Sequence, residues 1–195
     1  MKRTILTLFL ALCVSAPLFG QSGDRSGHFF AGYAFARTDT NDRDAGTGGP
    51  IREALNMNGF NVAFGGNLGA NSVTDEISLT VDVGGYFSSL ESQTGGDDDS
   101  LRLWTLTAGP QFTSYRHDRL RPFVRALFGV SFVQSEIASD KVSDTGFAFI
   151  GGGGLDVQLG SKAAFRVFQV DYLLARHSSE NINTFRVATG IAVHF

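Results

Sequence analysis

The residues with the clearest catalytic potential are His177, Ser179 and Glu180, in the polar stretch "ARHSSENIN". A serine hydrolase needs a serine within hydrogen-bond reach of a histidine, and an acid that orients that histidine. These residue types are present, but Glu180 directly follows Ser179, and short polar runs of this kind are common in loops. We therefore favour a solvated loop over a catalytic site, and predict that the protein is not an enzyme.

Carboxylates and histidines are the other candidates for ligand chemistry. Two acidic stretches could bind divalent cations; they contain Asp39, Asp42 and Asp44, and Asp97, Asp98 and Asp99. The first does not follow the EF-hand order, because Arg43 stands where a ligand oxygen belongs. The four histidines (His28, His117, His177 and His194) lie in separate segments without the spacing of a metal site. Solvated acidic loops are favoured, with no metal and no cofactor.

The glycine run in "FIGGGGLDV" is not a phosphate-binding loop. It lacks the G-x-x-x-x-G-K-[ST] pattern and a following helix. We interpret it as a place where a strand bends or approaches its neighbours closely.

Composition limits the possible partners and compartments. The chain of 195 residues has a formal net charge of −3, which argues against nucleic acid. Residues 1–21 have the basic start, apolar run and small residues of a secretory signal peptide. We predict that they are removed and that 22–195 form one domain. The single cysteine, Cys13, would leave with the signal, so disulfides would not stabilise this domain.

Beyond that segment, apolar residues recur at every second position instead of with helical spacing. Ile77, Leu79 and Val81, for example, alternate with Ser78 and Thr80. This period predicts an all-β fold. The predicted strands are 28–37, 56–68, 76–87, 101–114, 122–134, 146–158, 164–175 and 184–195.

The connections between the predicted strands alternate in length. The long, polar ones are 38–55, 88–100, 135–145 and 176–183, and the short ones are 69–75, 115–121 and 159–163. Long outer loops and short periplasmic turns are typical of a transmembrane β-barrel, whereas a globular sandwich has no reason to alternate them. We therefore predict an eight-stranded antiparallel up-and-down barrel in which the last strand pairs with the first, since lipid leaves no unpaired edge.

Aromatic residues near predicted strand ends fit the interfacial girdles of such a barrel. They are Trp104, Phe112, Tyr115, Phe123, Phe165, Tyr172 and Phe195. The alternative is that they form the core of a sandwich.

The inward-facing residues of a small barrel fill its lumen. This set contains Arg125, Asp156, Asp171 and Arg186. We predict two ion pairs, Arg125–Asp156 near the periplasmic end and Asp171–Arg186 nearer the outer half, because isolated charges are costly to desolvate. A satisfied polar core is favoured over a gate or ion path.

Four stretches resemble the outer membrane protein β-barrel domain family, which is akin to the OmpA transmembrane domain and OmpX. They are "HFFAGYAFAR", "GPQFTSYRHDRLRPFVRALFGVSF", "FAFIGGGGLDVQLGSKAAFRVFQVDYLLAR" and "FRVATGIAVHF". The resemblance implies an eight-stranded barrel in the outer membrane of a diderm bacterium. It also implies that the alternating last strand is a signal for the barrel-assembly machinery. That signal maps to Phe185, Val187, Thr189, Ile191, Val193 and Phe195.

The lipid A deacylases are barrels of similar size with a His-x-Ser pair and a glutamate, which residues 177–180 resemble loosely. The favoured function is instead a monomeric, non-enzymatic outer-membrane barrel with a structural or surface-interaction role carried by its outer loops. Its expected partners are outer-membrane lipid, lipopolysaccharide, whose phosphates could share cations with the acidic loops, and the assembly machinery. The alternatives are a small porin-like channel and a lipid A deacylase-like hydrolase.

Overall fold

The alternating segments form long β-strands in a computed structural model of the chain. The structure describes residues 27–43, 50–72, 75–90, 99–137, 140–176 and 181–195. The predicted signal peptide, 1–21, lies outside these residues. No helix within the described ranges is long and apolar enough to cross a membrane.

Eight antiparallel strands, each hydrogen-bonded to its neighbours in chain order, close into one barrel. The strands are β1 (Gly27–Arg43), β2 (Pro50–Ser72), β3 (Asp75–Leu90), β4 (Asp99–Ser114), β5 (Leu120–Ile137), β6 (Asp140–Gln158), β7 (Ala163–Arg176) and β8 (Asn181–His194). The predicted fold class and all eight strands are confirmed.

Pairing between the first and last strands closes the barrel, as predicted. The register of β1 and β8 runs from His28 opposite His194 to Asp39 opposite Asn183. Beyond it, the backbones of Gly27 and Phe195 exchange two hydrogen bonds of 2.9 and 3.0 Å. We call this side of the barrel the terminal end, and the opposite side the hairpin end.

The strands extend further at the hairpin end than the sequence predicts. Most of the predicted long loop 38–55 is strand, since β1 and β2 remain paired up to Arg43 and Pro50. The pairing of β5 with β6 likewise continues to Ile137 and Asp140. Lipid imposes the alternation of apolar and polar side chains, so this alternation ends at the membrane boundary. Hydrogen bonding between strands continues beyond that boundary, and the strands are therefore longer than the sequence pattern.

These extensions leave backbone edges that pair with no strand among the described residues. The register of β2 with β3 reaches only Asn58 opposite Phe87, so β2 from Pro50 to Met57 is unpaired on that side. The register of β6 with β7 reaches only Phe147 opposite Arg176, which leaves residues 140–146 of β6 unpaired. A two-stranded unit and a four-stranded unit therefore project beyond the closed barrel.

The outer face of the barrel is apolar and the inner face is largely polar, the reverse of a soluble fold. Outward residues include Tyr33, Leu79, Val124, Phe128, Tyr172 and Ile191, all between 47 and 59% exposed. Buried, inward residues include Asn61, Asp82, Arg125, Arg166 and Asp171. An apolar surface around a polar lumen is the arrangement of a membrane-spanning barrel.

Replacing Leu106 with arginine tests the apolar face. Leu106 faces outward and is opposite Val83 and Val130, which places it inside the apolar band. A charge there is expected to destabilise the barrel in lipid by about 2–4 kcal/mol, measured by urea unfolding in phospholipid vesicles. Gln134→Arg, outward but toward the hairpin end, is the matched control. Equal stability of the two variants would contradict the assigned band.

Candidate functional site

The four charged residues predicted to face the lumen are all buried inside the barrel. Arg125, Asp156, Asp171 and Arg186 are each 4% exposed or less. Each is part of an ion pair or hydrogen-bonded network with other lumen residues.

Three of these residues lie in one row across neighbouring strands. Arg125 on β5 is opposite Gly152 on β6, which is opposite Asp171 on β7, which is opposite Arg186 on β8. Two strand spacings, about 10 Å, separate the backbones of Arg125 and Asp171. Because Gly152 has no side chain between them, the arginine can reach across β6.

Asp171 is the centre of this row. It accepts hydrogen bonds from Arg125 Nε and Nη2, at 3.1 and 2.7 Å, through its two carboxylate oxygens. It also accepts one of 2.8 Å from Arg186 Nη2, the pairing expected from the sequence. Gln169 Nε2 donates a fourth, also of 2.8 Å.

Asp82, on β3 at the opposite side of the barrel, supplies the second negative charge that balances Arg125 and Arg186. Its carboxylate oxygens lie 3.0 Å from Arg125 Nη1 and 3.5 Å from Arg186 Nη1. Arg186 Nη1 also donates to Tyr86 Oη at 3.0 Å. Two arginines and two aspartates thus form a neutral quartet.

The predicted Arg125–Asp156 pair is wrong. Asp156 is opposite Arg121 on β5 and Arg166 on β7, whereas Arg125 lies two inward-facing rows further toward the hairpin end and has its own partners. Arg166 instead donates two hydrogen bonds to Asp156, from Nε at 2.7 Å and Nη2 at 3.0 Å.

Arg166 points into the lumen because of a β-bulge in β7. The register shifts by one residue between Arg166 and Gln169 relative to β8, and a matching shift occurs relative to β6. Val167 and Phe168 consequently both face outward. The bulge reverses the alternation, so Arg166 and Asp171 share the inner face although one number is even and the other odd.

The Arg166 guanidinium is enclosed by aromatic rings. It lies 4.2 Å from the centre of the Phe30 ring and 4.1 Å from that of Phe123. Phe123, predicted for the outer girdle, is therefore a lumen residue, 3% exposed. A bidentate hydrogen bond to a carboxylate together with close contact to two aromatic rings suits a planar guanidinium better than an ammonium.

Amide side chains join this pair to the quartet. Arg166 Nη1 donates to Gln169 Oε1 at 2.6 Å, and Gln169 Nε2 donates to Asn61 Oδ1 at 3.0 Å. Asn61 Nδ2 in turn donates to Asp82 at 2.9 Å. We call this connected set, with its three arginines and three aspartates, the lumen network.

Apolar side chains close the lumen on the hairpin side of the network. Met57, Leu103, Ile150 and Leu173 are buried in one cluster, against which Val133 packs. Each of these four residues lies two positions closer to the hairpin end than a residue that belongs to the network or is in the same cross-strand row as a network residue. This layer was not predicted from the sequence, because inward residues were expected to be small or polar.

At the terminal end, Tyr115 and two charged residues narrow the lumen. Tyr115 Oη donates to Glu76 at 2.8 Å. The Arg121 guanidinium lies 4.8 Å from the Tyr115 ring centre, and both Arg121 and Glu76 are buried. Side chains therefore occupy the lumen above, within and below the network.

Comparison with known proteins shows what this geometry resembles. The structural match to Neisserial surface protein A covers 86% of this chain and 97% of that protein's chain, with a TM-score of 0.58 and 10% sequence identity. Ail of Yersinia pestis, in a complex with the heparin analogue sucrose octasulfate, covers 87% and 99%, with a TM-score of 0.56 and 13% identity. The chain has the fold of the small outer-membrane β-barrels. The predicted resemblance to OmpA- and OmpX-like barrels is confirmed at the level of the fold.

Comparison by sequence alone finds no match for this chain. No family model matches the chain, and no curated protein matches it.

The glycine run of this barrel makes room for the lumen network. A Cβ on Gly152 would overlap Asp171 Oδ1, and one on Gly154 would lie 2.8 Å from the Phe123 ring. Both glycines face inward, so the absence of a side chain is what lets neighbouring strands share this space.

Gly152→Ala is expected to destabilise the barrel by about 2–4 kcal/mol, because the added methyl group displaces the Asp171 carboxylate from Arg125. The unfolding midpoint in urea checks this. Gly66→Ala is the matched control, since a Cβ there meets nothing within 4 Å. A barrel that tolerates both changes equally would contradict the close approach.

The remaining predicted site residues fall in two groups. His177, Ser179 and Glu180, with Asp44, Asp97 and Asp98, lie outside the described residues. Asp39 and Asp42 belong to β1 and Asp99 begins β4, so these acidic stretches are partly strand. Across the ranges the structure describes, no group of three or more histidine, cysteine or acidic residues could hold a metal ion.

The histidines also have positions that the sequence did not reveal. His28 and His194 are opposite each other across the β1–β8 closure, with ring centres 6.2 Å apart. His117 is exposed in the turn between β4 and β5.

The outward side of β8 carries the predicted assembly signal. Phe185, Ile191, Val193 and Phe195 are exposed there, and Val187 and Thr189 are half-buried on the same face. Its role in assembly stays a prediction.

Proposed function

We propose that the chain is a non-enzymatic barrel of the outer membrane of a diderm bacterium. Its lumen is a structural core, and its projecting hairpins make contacts at the cell surface. The observation that carries this proposal is the filled lumen. A neutral, ion-paired network lies beneath a layer of buried apolar side chains. A pore that passes solutes needs a continuous polar opening, which this cross-section does not offer.

The projecting strands support the surface role. The backbone edges of β2 and β6 that pair with no described strand offer hydrogen-bond donors and acceptors to another chain. Ail, one of the barrels similar in fold, is known in a complex with a heparin analogue. A polyanion is not the ligand we propose, because the sequence around the ends of β1 and β4 is rich in aspartate, with Asp39 and Asp42 in β1 and Asp99 in β4.

Surface labelling in whole cells tests the proposed location and orientation. Ser143→Cys places a thiol on the exposed face of β6 at the hairpin end, and Lys162→Cys places one in an exposed turn at the terminal end. We expect a membrane-impermeant maleimide to label only Ser143→Cys in intact cells, and both variants in purified protein. Labelling of only Lys162→Cys, or recovery of the protein in the soluble periplasm, would refute the proposal.

A deletion strain tests the role itself. We expect loss of adhesion or of detergent resistance, restored by the full gene but not by a version lacking the projecting part of the β5–β6 hairpin. Lipid A structure is expected to be unchanged in Ser179→Ala. Altered lipid A would favour the hydrolase alternative.

A further inference from the structure

Among the residues whose side chains are described, three arginines face outward at the hairpin end of the barrel. They are Arg37 on β1, Arg102 on β4 and Arg176 on β7, and all three are exposed. Their strands are spaced around the barrel, and the strand pairings put the three residues at about one level. We call this set the arginine belt.

Each arginine of the belt is directly opposite an exposed phenylalanine on a neighbouring strand. Arg37 faces Phe185, Arg102 faces Phe87, and Arg176 faces Phe147. These phenylalanines are 39–55% exposed. A cation beside an aromatic ring is typical of the level where hydrocarbon meets headgroups, since the ring stays in the apolar region and the cation reaches the polar one.

The belt forms a sharp boundary of charge. On the described strands, no charged side chain faces outward between the belt and the terminal end. None of the three arginines forms an ion pair with a residue whose side chain is described. At the terminal end the situation differs, because the outward Arg116 is 3.3 Å from the Asp75 carboxylate.

We propose that the arginine belt binds the phosphate groups of phosphorylated lipids in the outer leaflet. This rests on the proposed function, because it needs the hairpin end to lie at that leaflet. An arginine fork matches phosphate oxygens through two hydrogen bonds, and a phenylalanine beside it contacts the lipid's apolar part. Arginines spaced around the barrel would hold several lipids as a ring.

Tryptophan fluorescence can report this binding. Trp104 is the chain's single tryptophan. It lies two positions from Arg102 on the same outward face and makes edge contacts with Phe60 and Phe87 at 5.8 and 5.7 Å. A lipid held by Arg102 and Phe87 would therefore change the Trp104 fluorescence.

The test titrates full-length barrel in neutral detergent micelles with diphosphorylated lipid A, monophosphorylated lipid A or inorganic phosphate. We expect saturable Trp104 changes with the first, weaker binding of the second, and no response to inorganic phosphate at equal concentration. The triple variant R37Q/R102Q/R176Q should lose about fivefold in affinity at each of the three sites, and Trp104 reports this loss at the Arg102 site. R37K/R102K/R176K should bind more weakly than the parent protein but more tightly than the glutamine variant, because the charge is kept and the two-hydrogen-bond fork is lost.

Arg116→Gln is the matched control, an exposed arginine at the terminal end. The proposal is overturned if the triple glutamine variant binds diphosphorylated lipid A like the parent protein, or if Arg116→Gln weakens binding as much. It is also overturned if inorganic phosphate gives the same response. Because micelles have no sidedness, failure here leaves the cell-labelling result intact, and failed labelling leaves this affinity measurable.

Discussion

Replacing Asp171 with leucine is expected to destabilise the barrel by about 3–5 kcal/mol, the range for removing one partner of a buried ion pair. Asp171 accepts hydrogen bonds from Arg125, Arg186 and Gln169, so its loss leaves two buried guanidinium groups with only Asp82 as a counter-charge. Urea unfolding of protein folded into phospholipid vesicles measures the loss. Because buried pairs are weakly screened, it should persist at high salt.

A double-mutant cycle separates the interaction energy of Asp171 with Arg186 from the loss of packing that each substitution causes by itself. Adding Arg186→Met to Asp171→Leu should cost about 2 kcal/mol less than the sum of the single variants, because the second change removes an uncompensated charge. Thr105→Val is the matched lumen control, since the Thr105 hydroxyl is buried without a partner among the described residues. Strict additivity of the two charged variants would contradict the assigned network.

Arg166→Lys is expected to cost about 3 kcal/mol although the charge is kept. Lysine cannot make the bidentate contact with Asp156 or stack between Phe30 and Phe123. The same unfolding measurement checks it, with Arg116→Lys as the control, because Arg116 is 68% exposed and such pairs contribute little. Wild-type stability for Arg166→Lys would mean that the side chain is not enclosed.

The alternation of side chains was enough to predict the architecture. Lipid and lumen impose opposite preferences on successive residues, so the pattern revealed eight strands and the closure of β8 on β1. It could not reveal the strand ends. Beyond the membrane, lipid no longer imposes an alternation, and residues such as those between Pro50 and Met57 show no period.

The lumen network was only partly predictable for a different reason. Asp171 and Arg186 are opposite each other on adjacent strands, so their register was enough to pair them. Arg125 reaches past β6 over Gly152, and spacing along the strands does not encode that distance.

Arg166 was missed because a bulge changes which residues face inward. The sequence does contain a signal for it: Val167 and Phe168 are consecutive large apolar residues between the polar Arg166 and Gln169. In a half-buried strand such a doublet breaks the period, and a bulge restores both faces.

Single-channel recording tests the central claim, that the lumen is a packed, ion-paired core. Purified full-length barrel, inserted into a planar bilayer in molar salt, is expected to give no discrete conductance steps, and Thr105→Val should behave identically. Reproducible ohmic steps from the wild-type protein, with an amplitude that changes in Arg186→Met, would contradict the claim and make the network part of a conducting path.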